Sequence, residues 1–249
     1  MRLSLTAACL ALAATALPAP AHDLGSLDAA GRAALRAEIR AYLLENPEVI
    51  MEAVAVLEER QAAGEAAADV ALVRANAEAL FAAPGDWVGG NPEGDITLVE
   101  FMDYRCGYCR RAHDEVAGLL ADDGNIRLIL KEFPILGEES VAAARFAIAT
   151  RIVAGDDAYK SVHDALMSYP GAMNEAGFTR LADALGLDAN AIAAEMQSDA
   201  VTEIIAANHA LAQRLRINGT PAFVMGEHML RGYLPQDQMQ AIADEIRTN

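Results

Sequence analysis

Two cysteines separated by two residues follow a strongly apolar run in the stretch ITLVEFMDYRCGYCRRAHDEV, residues 96–116. A dithiol at this spacing can cycle between thiols and a disulfide, because the second thiol resolves the mixed disulfide that an attacking thiolate forms. The apolar run predicts a buried strand and the charged segment predicts a helix that begins near Cys106. Backbone N–H groups at a helix N-terminus favour a thiolate, which makes Cys106 the expected nucleophile and Cys109 the more buried resolving thiol. We expect Gly107 and Tyr108 to tune the balance between the oxidised and reduced forms.

The rest of the sequence offers these thiols no structural disulfide partner. The chain has 249 residues and three cysteines. Its first 21 residues contain an arginine, an uncharged apolar stretch and an A-x-A site, which together predict a cleaved signal peptide. Cys9 would be lost with this leader, so the exported chain would keep only Cys106 and Cys109. A disulfide between them closes too short a loop to stabilise the fold appreciably.

The composition excludes several kinds of partner. The formal net charge is -17, and such an acidic surface repels nucleic-acid phosphates and anionic lipids. After the leader, no uninterrupted apolar segment is long enough for a membrane span, so we expect no membrane anchor. The hydrophobic fraction of 53% is ample for a buried core.

Residues 22–85 predict an N-terminal helical region. Leu35, Ile39 and Tyr42 lie on one face of an amphipathic helix. Such a stripe must be buried against the same chain or against another subunit, and the pattern alone leaves both open. The Gly/Pro/Asp-rich segment APGDWVGGNPEGD, residues 83–95, predicts a domain boundary near residue 86.

Residues 86–249 predict an α/β domain. Strand, helix and second strand follow one another within about 40 residues, which indicates a βαβ unit with parallel strands. Amphipathic helices then run from about residue 138 to 216, and two short strands and a terminal helix complete the chain.

The segments TLVEFMDYRCGYC and GTPAFV resemble the thioredoxin-fold disulfide oxidoreductases, and the helical block between them resembles the DsbA branch. The resemblance covers residues 86–249 and implies a thioredoxin fold with an inserted helical domain. It implies that Cys106 attacks, that Cys109 resolves, and that Thr220 and Pro221 form a substrate-binding cis-proline loop. Glu100, six residues before Cys106, matches a buried acid that exchanges a proton with the resolving thiol.

The segment AYLLENPEVIMEAV resembles the oligomerising region of ScsC-type proteins, whose assembled forms can reshuffle wrong disulfides. CGYC and the threonine before the proline also resemble the disulfide isomerase DsbC, whereas simple DsbA oxidases often have Pro-His and valine there. The resemblance therefore implies a periplasmic homo-oligomeric isomerase or reductase without a cofactor, which acts on exported proteins and is reset by a membrane redox partner. A monomeric DsbA-like oxidase and a copper-binding chaperone are the alternatives.

The other polar residues give weaker signals. A zinc site needs about four ligands, so the two cysteines with His113, four residues beyond Cys109, make at most a partial metal site. His163, His209 and His228 are scattered singly along the chain, and we expect no metal ligand among the site residues. Lys131, on the neighbouring predicted strand, is a possible partner for Glu100, although a surface lysine is the simpler expectation.

Overall fold

The computed structural model describes residues 27–248, so the predicted signal peptide lies outside the described residues. The chain divides into two compact units. The first ends at Glu59, and the second, larger unit begins at Arg60. The described part of the first unit contains helix α1 (Ala29–Glu45) and the start of helix α2 (Glu48–Ala75). Helix α1 begins after Asp28, whose carboxylate accepts a hydrogen bond from the Gly31 amide at 2.8 Å and so caps the helix.

The larger unit combines a five-stranded sheet with helices. Its strands are β1 (Trp87–Gly90), β2 (Ile96–Met102), β3 (Ile126–Glu132), β4 (Ala222–Met225) and β5 (His228–Arg231). Its helices after α2 are α3 (Ala77–Phe81), α4 (Gly107–Asp123), α5 (Glu138–Ala154), α6 (Asp156–Ser168), α7 (Glu175–Ala184), α8 (Ala189–Glu195), α9 (Asp199–Arg214) and α10 (Gln236–Thr248).

The sheet has the strand order β1-β3-β2-β4-β5, with only the β2–β3 pair parallel. Helix α4 connects these two strands, which confirms the predicted βαβ unit. Helices α5 to α9 are inserted between β3 and β4, and this position agrees with the helical block predicted at about 138–216. The predicted α/β class with an inserted helical region is therefore confirmed.

The sheet is covered on both faces, which explains why β2 and β3 are apolar along most of their length. One face packs against α4, α10 and inserted helices, and its core includes Leu98, Met102 and Leu119. The other face includes Val99 and Phe101 and packs against residues 73–80 and the end of α9.

Residues 60–81, which the sequence placed in the N-terminal helical region, pack within the larger unit. Val73 and Leu80 are buried in the same core cluster as Phe101 of β2. The apolar positions of this segment thus cover a sheet face of the same chain, a choice that helical periodicity alone does not reveal.

Candidate active site

The two cysteines lie at the junction of β2 and α4. Cys106 is the N-cap residue of α4, and Cys109 lies in the first turn of the helix. The Cys106 amide donates to the Asp103 carbonyl at 3.0 Å, which holds the turn between strand and helix. Both thiols are free, and Cys109 is fully buried whereas Cys106 keeps a small exposed fraction. The expected order of burial is therefore confirmed.

A loop from a distant part of the chain covers the Cys106 sulfur. The peptide bond between Thr220 and Pro221 is cis, as the resemblance implies. The Cys106 thiol donates to the Thr220 carbonyl, with 3.2 Å between sulfur and oxygen. On the other side of the loop, the Pro221 carbonyl accepts from the Gly232 amide at 3.0 Å, just after β5. The sheet thus brings Cys106 next to Thr220 and Pro221, which lie more than 100 residues later in the sequence.

Glu100 lies on β2 beneath the thiols and is buried, with 3% of its surface exposed. Its Oε1 atom has no hydrogen-bond partner among the described residues, and burial raises the pKa of this carboxyl to about 8. Burial also raises the pKa of the Cys109 thiol, and the nearby Glu100 charge raises it further. A carboxyl and a thiol that each resist ionisation can pass one proton between them.

The Glu100 pKa predicts a pH-dependent effect of Glu100→Gln on stability. The folded state holds the Glu100 proton more tightly than the unfolded chain, so the stabilisation is complete below about pH 4.5 and is lost as the pH rises toward 8. Glutamine does not ionise. The variant should therefore match the wild type at pH 4.5 and exceed its free energy of unfolding by on the order of 4 to 5 kcal/mol at pH 8 and above.

Urea denaturation of both proteins at several pH values measures this difference. Glu93→Gln at an exposed position is the control, and it should leave the pH dependence of unfolding unchanged. If the free energies of unfolding of Glu100→Gln and the wild type differ by the same amount at every pH in this range, the ionisation behaviour assigned to Glu100 is wrong.

Lys131 does not pair with Glu100, and it is not a surface residue. The parallel register places Lys131 opposite Phe101 and Leu130 opposite Glu100. Because successive side chains point to opposite faces of a strand, Lys131 lies on the face away from Glu100. It is buried there, donates to the Ala79 carbonyl at 2.6 Å and forms an ion pair with Asp86. Both alternatives considered for Lys131 are therefore wrong, and the pair instead connects β3 to the segment before β1.

The residues between the cysteines face outward. A Cβ atom at Gly107 would meet no described atom within 4 Å, and Tyr108 is 63% exposed. The Tyr108 ring centroid lies 6.4 Å from that of Tyr233, and the Arg111 guanidinium lies over the Tyr233 ring at 4.6 Å. These side chains form an aromatic surface beside the thiol pair.

Asp103 is a buried organising residue that sequence reasoning missed. Its carboxylate accepts from the Arg105 amide at 2.7 Å and from the Ile135 and Leu136 amides at 2.8 and 3.1 Å. It thereby fastens the turn before Cys106 to the loop after β3. Its place directly after an apolar strand could have indicated a structural role, but Ile135 and Leu136 lie over 30 residues away in sequence.

A second buried acid was also missed. Glu132, at the end of β3, accepts hydrogen bonds on Oε1 from the hydroxyls of Tyr104 and Tyr159, each at 2.7 Å. Burial raises the pKa of Glu132 to about 8 despite these donors. Tyr104 and Trp87 are both buried.

Two family descriptions match the chain. The DSBA-like thioredoxin domain matches residues 97–244, and the copper resistance protein ScsC N-terminal domain matches residues 32–63. The first match includes both cysteines and the Thr220-Pro221 loop. The second covers the exposed helical segment at the beginning of the described chain.

Solved structures with this fold include a thioredoxin-like oxidoreductase from Silicibacter pomeroyi DSS-3, which is 46% identical with a TM-score of 0.65 and covers 69% of this chain and 98% of its own. Proteus mirabilis ScsC in a transitional conformation is 26% identical with a TM-score of 0.63. The match covers 88% of this chain and 98% of the ScsC chain. A periplasmic thioredoxin-like protein from Salmonella enterica serovar Typhimurium is 27% identical with a TM-score of 0.58. The match covers 68% of this chain and 94% of the Salmonella chain.

The curated relatives are Na⁺/H⁺ antiporters, among them NhaA 1 of Salinispora arenicola, which is 30% identical over 139 residues. The match covers 55% of this chain, and the chain spans only 21% of the antiporter's length. Within residues 27–248, no helix is long and apolar enough to cross a membrane.

Proposed function

The chain belongs to the DSBA-like thioredoxin family, and from that premise we propose that it is a periplasmic thiol-disulfide oxidoreductase that isomerises or reduces disulfides of exported proteins. The observation that carries the proposal is the position of the Cys106 sulfur. It lies at the N-terminus of α4 and 3.2 Å from the Thr220 carbonyl, with the Cys109 thiol buried in the same helical turn.

In the proposed reaction the Cys106 thiolate attacks one sulfur of a substrate disulfide. A mixed disulfide forms, and the other substrate sulfur leaves as a thiolate. In isomerisation, another substrate thiolate displaces Cys106, and the protein returns to its dithiol form. In reduction, Cys109 attacks the Cys106 sulfur, the substrate leaves with two thiols, and a membrane redox partner must then reduce the new Cys106–Cys109 disulfide.

Glu100 and the cis-proline loop have separate roles in this scheme. The Glu100 carboxylate takes the proton of the Cys109 thiol as Cys109 attacks, which requires a buried base with a pKa near neutrality. Thr220 and Pro221 offer backbone groups to an extended substrate segment beside Cys106, while Gly107 and Tyr108 form the adjoining surface. Substrate and thiol pair are thereby aligned without a cofactor.

The N-terminal unit supports an oligomer. Helix α1 has no buried residue, and the exposed large apolar residues of α1 and the start of α2 are Leu35, Ile39, Tyr42, Leu44, Ile50, Met51, Val54, Val56 and Leu57. So many exposed apolar side chains in one short segment indicate a surface that a partner covers. With the ScsC N-terminal match at residues 32–63, the proposed partner is another copy of the same unit.

Reactivation of ribonuclease with scrambled disulfides tests the isomerase activity. We expect the full chain to reactivate scrambled ribonuclease and to oxidise reduced ribonuclease slowly. The double variant Gly107→Pro/Tyr108→His should shift the protein toward oxidation, with at least tenfold faster oxidation and slower reactivation. Proline is compatible with the first position of a helix, and the space beside Gly107 is open, so the variant should fold normally.

The opposite pattern would overturn the isomerase assignment. If the wild-type chain oxidises reduced ribonuclease rapidly and leaves the scrambled enzyme inactive, the protein is a dithiol oxidase. Circular dichroism of the double variant checks that any change in activity occurs in a folded protein.

A further inference from the structure

Three possible metal ligands meet between the active-site helix α4 and the inserted helix α6. They are His113 of α4 and the consecutive residues His163 and Asp164 of α6, and their ligand atoms all lie within 4.8 Å of one another. The two imidazole ring centroids are 5.1 Å apart. Neither Cys106 nor Cys109 is part of this cluster, which is therefore distinct from the redox pair.

His163 is held in an orientation suited to a metal ligand. Its Nδ1 atom lies 3.1 Å from the Tyr104 hydroxyl, and that hydroxyl donates its own proton to Glu132 at 2.7 Å. The Tyr104 oxygen therefore accepts from Nδ1–H, which leaves the Nε2 lone pair of His163 available. Ligating histidines usually have such an outer partner on the other ring nitrogen.

His113 and Asp164 approach each other without forming a hydrogen bond. The His113 Nε2 atom and the Asp164 Oδ1 atom are 3.1 Å apart, yet this buried oxygen has no hydrogen-bond partner among the described residues. Zinc binds nitrogen and oxygen ligands at about 2.0–2.2 Å, so two ligands of one tetrahedral ion lie roughly 3.3 Å apart. The observed separation is close to that value.

Asp164 supplies the negative charge. Its other oxygen, Oδ2, is paired with Lys160 at 2.5 Å, which leaves Oδ1 as the available ligand and places one opposing charge near the site.

We propose that His113, His163 and Asp164 bind one divalent transition-metal cation of the zinc type. Two imidazole nitrogens and one carboxylate oxygen supply three ligands, and water completes a tetrahedral site. The ion joins α4, which carries the thiol pair, to α6 of the helical insertion. It therefore restrains the insertion against the active-site helix.

Zinc titration of tag-free full-length protein tests the site. Because reduced thiols also bind zinc, the titration is made in the Cys106→Ser/Cys109→Ser background. We expect one equivalent of zinc to bind, and His113→Gln and Asp164→Asn each to weaken the affinity at least tenfold. Isothermal titration calorimetry in metal-free buffer gives both the stoichiometry and the affinity.

Two further variants in the same background serve as controls. His228→Gln removes an exposed histidine elsewhere and should leave the affinity unchanged. Lys160→Gln removes the opposing charge and should bind zinc at least as tightly as the parent protein. The proposal is overturned if the parent binds no zinc, or if either His113→Gln or Asp164→Asn binds it with the parent affinity while circular dichroism shows a native fold.

Discussion

Replacement of Cys106 by serine is expected to abolish thiol-disulfide exchange, with a rate at least about 1,000-fold below that of the wild type. A serine hydroxyl is not ionised at neutral pH and cannot form the mixed disulfide. Cys109 cannot take over, because it is fully buried and both its burial and the Glu100 charge disfavour its thiolate. The rate of insulin reduction in the presence of a small dithiol reductant measures this loss.

Cys109→Ser is the matched comparison, since it removes the other thiol of the pair. This variant should still attack disulfides, but it should accumulate mixed disulfides with its substrates because it lacks the resolving thiol. Non-reducing electrophoresis and mass spectrometry identify such adducts. Exchange that persists in Cys106→Ser, or adducts that form through Cys109, would reverse the proposed roles of the two cysteines.

Removal of the residues before Arg60 is expected to convert the protein into a monomer and to reduce reactivation of scrambled ribonuclease at least tenfold. An isomerase must attack wrong disulfides repeatedly on one substrate, and an assembly offers several thiol pairs at high local concentration. The truncation keeps the larger unit with its buried Val73 and Leu80 and the Asp86–Lys131 ion pair. Its insulin reduction rate per thiol pair should therefore stay close to that of the full chain.

Point variants in the full chain test whether helix α1 mediates assembly, without removing any residues. Ile39→Asp places a charge in the exposed apolar stripe of α1 formed by Leu35, Ile39 and Tyr42, whereas Ala34→Asp places the same charge at an exposed position away from this stripe and from Leu44. Light scattering coupled to gel filtration should show a smaller mass for Ile39→Asp and an unchanged mass for Ala34→Asp. Equal masses for both variants, or a wild-type chain that is already monomeric, would contradict assembly through this stripe.

The sequence alone predicted the features that depend on short segments. Cys106 at a strand–helix junction followed from an apolar run, a charged segment and the spacing to Cys109. The helical insertion followed from amphipathic periodicity between two strand-rich regions. Glu100 is buried on β2, as the resemblance implies, whereas alternation along a single strand predicts only which side chains share its face.

The tertiary structure decided which distant residues meet. The register of β2 against β3 directs Lys131 away from Glu100 and toward Asp86, and no local pattern specifies that register. The packing of α6 on α4 likewise brings His163 to His113, although nothing in the sequence linked these two residues. Such contacts depend on how whole elements pack, because each joins residues about 45 to 50 positions apart whose side chains gain partners only after the core has formed.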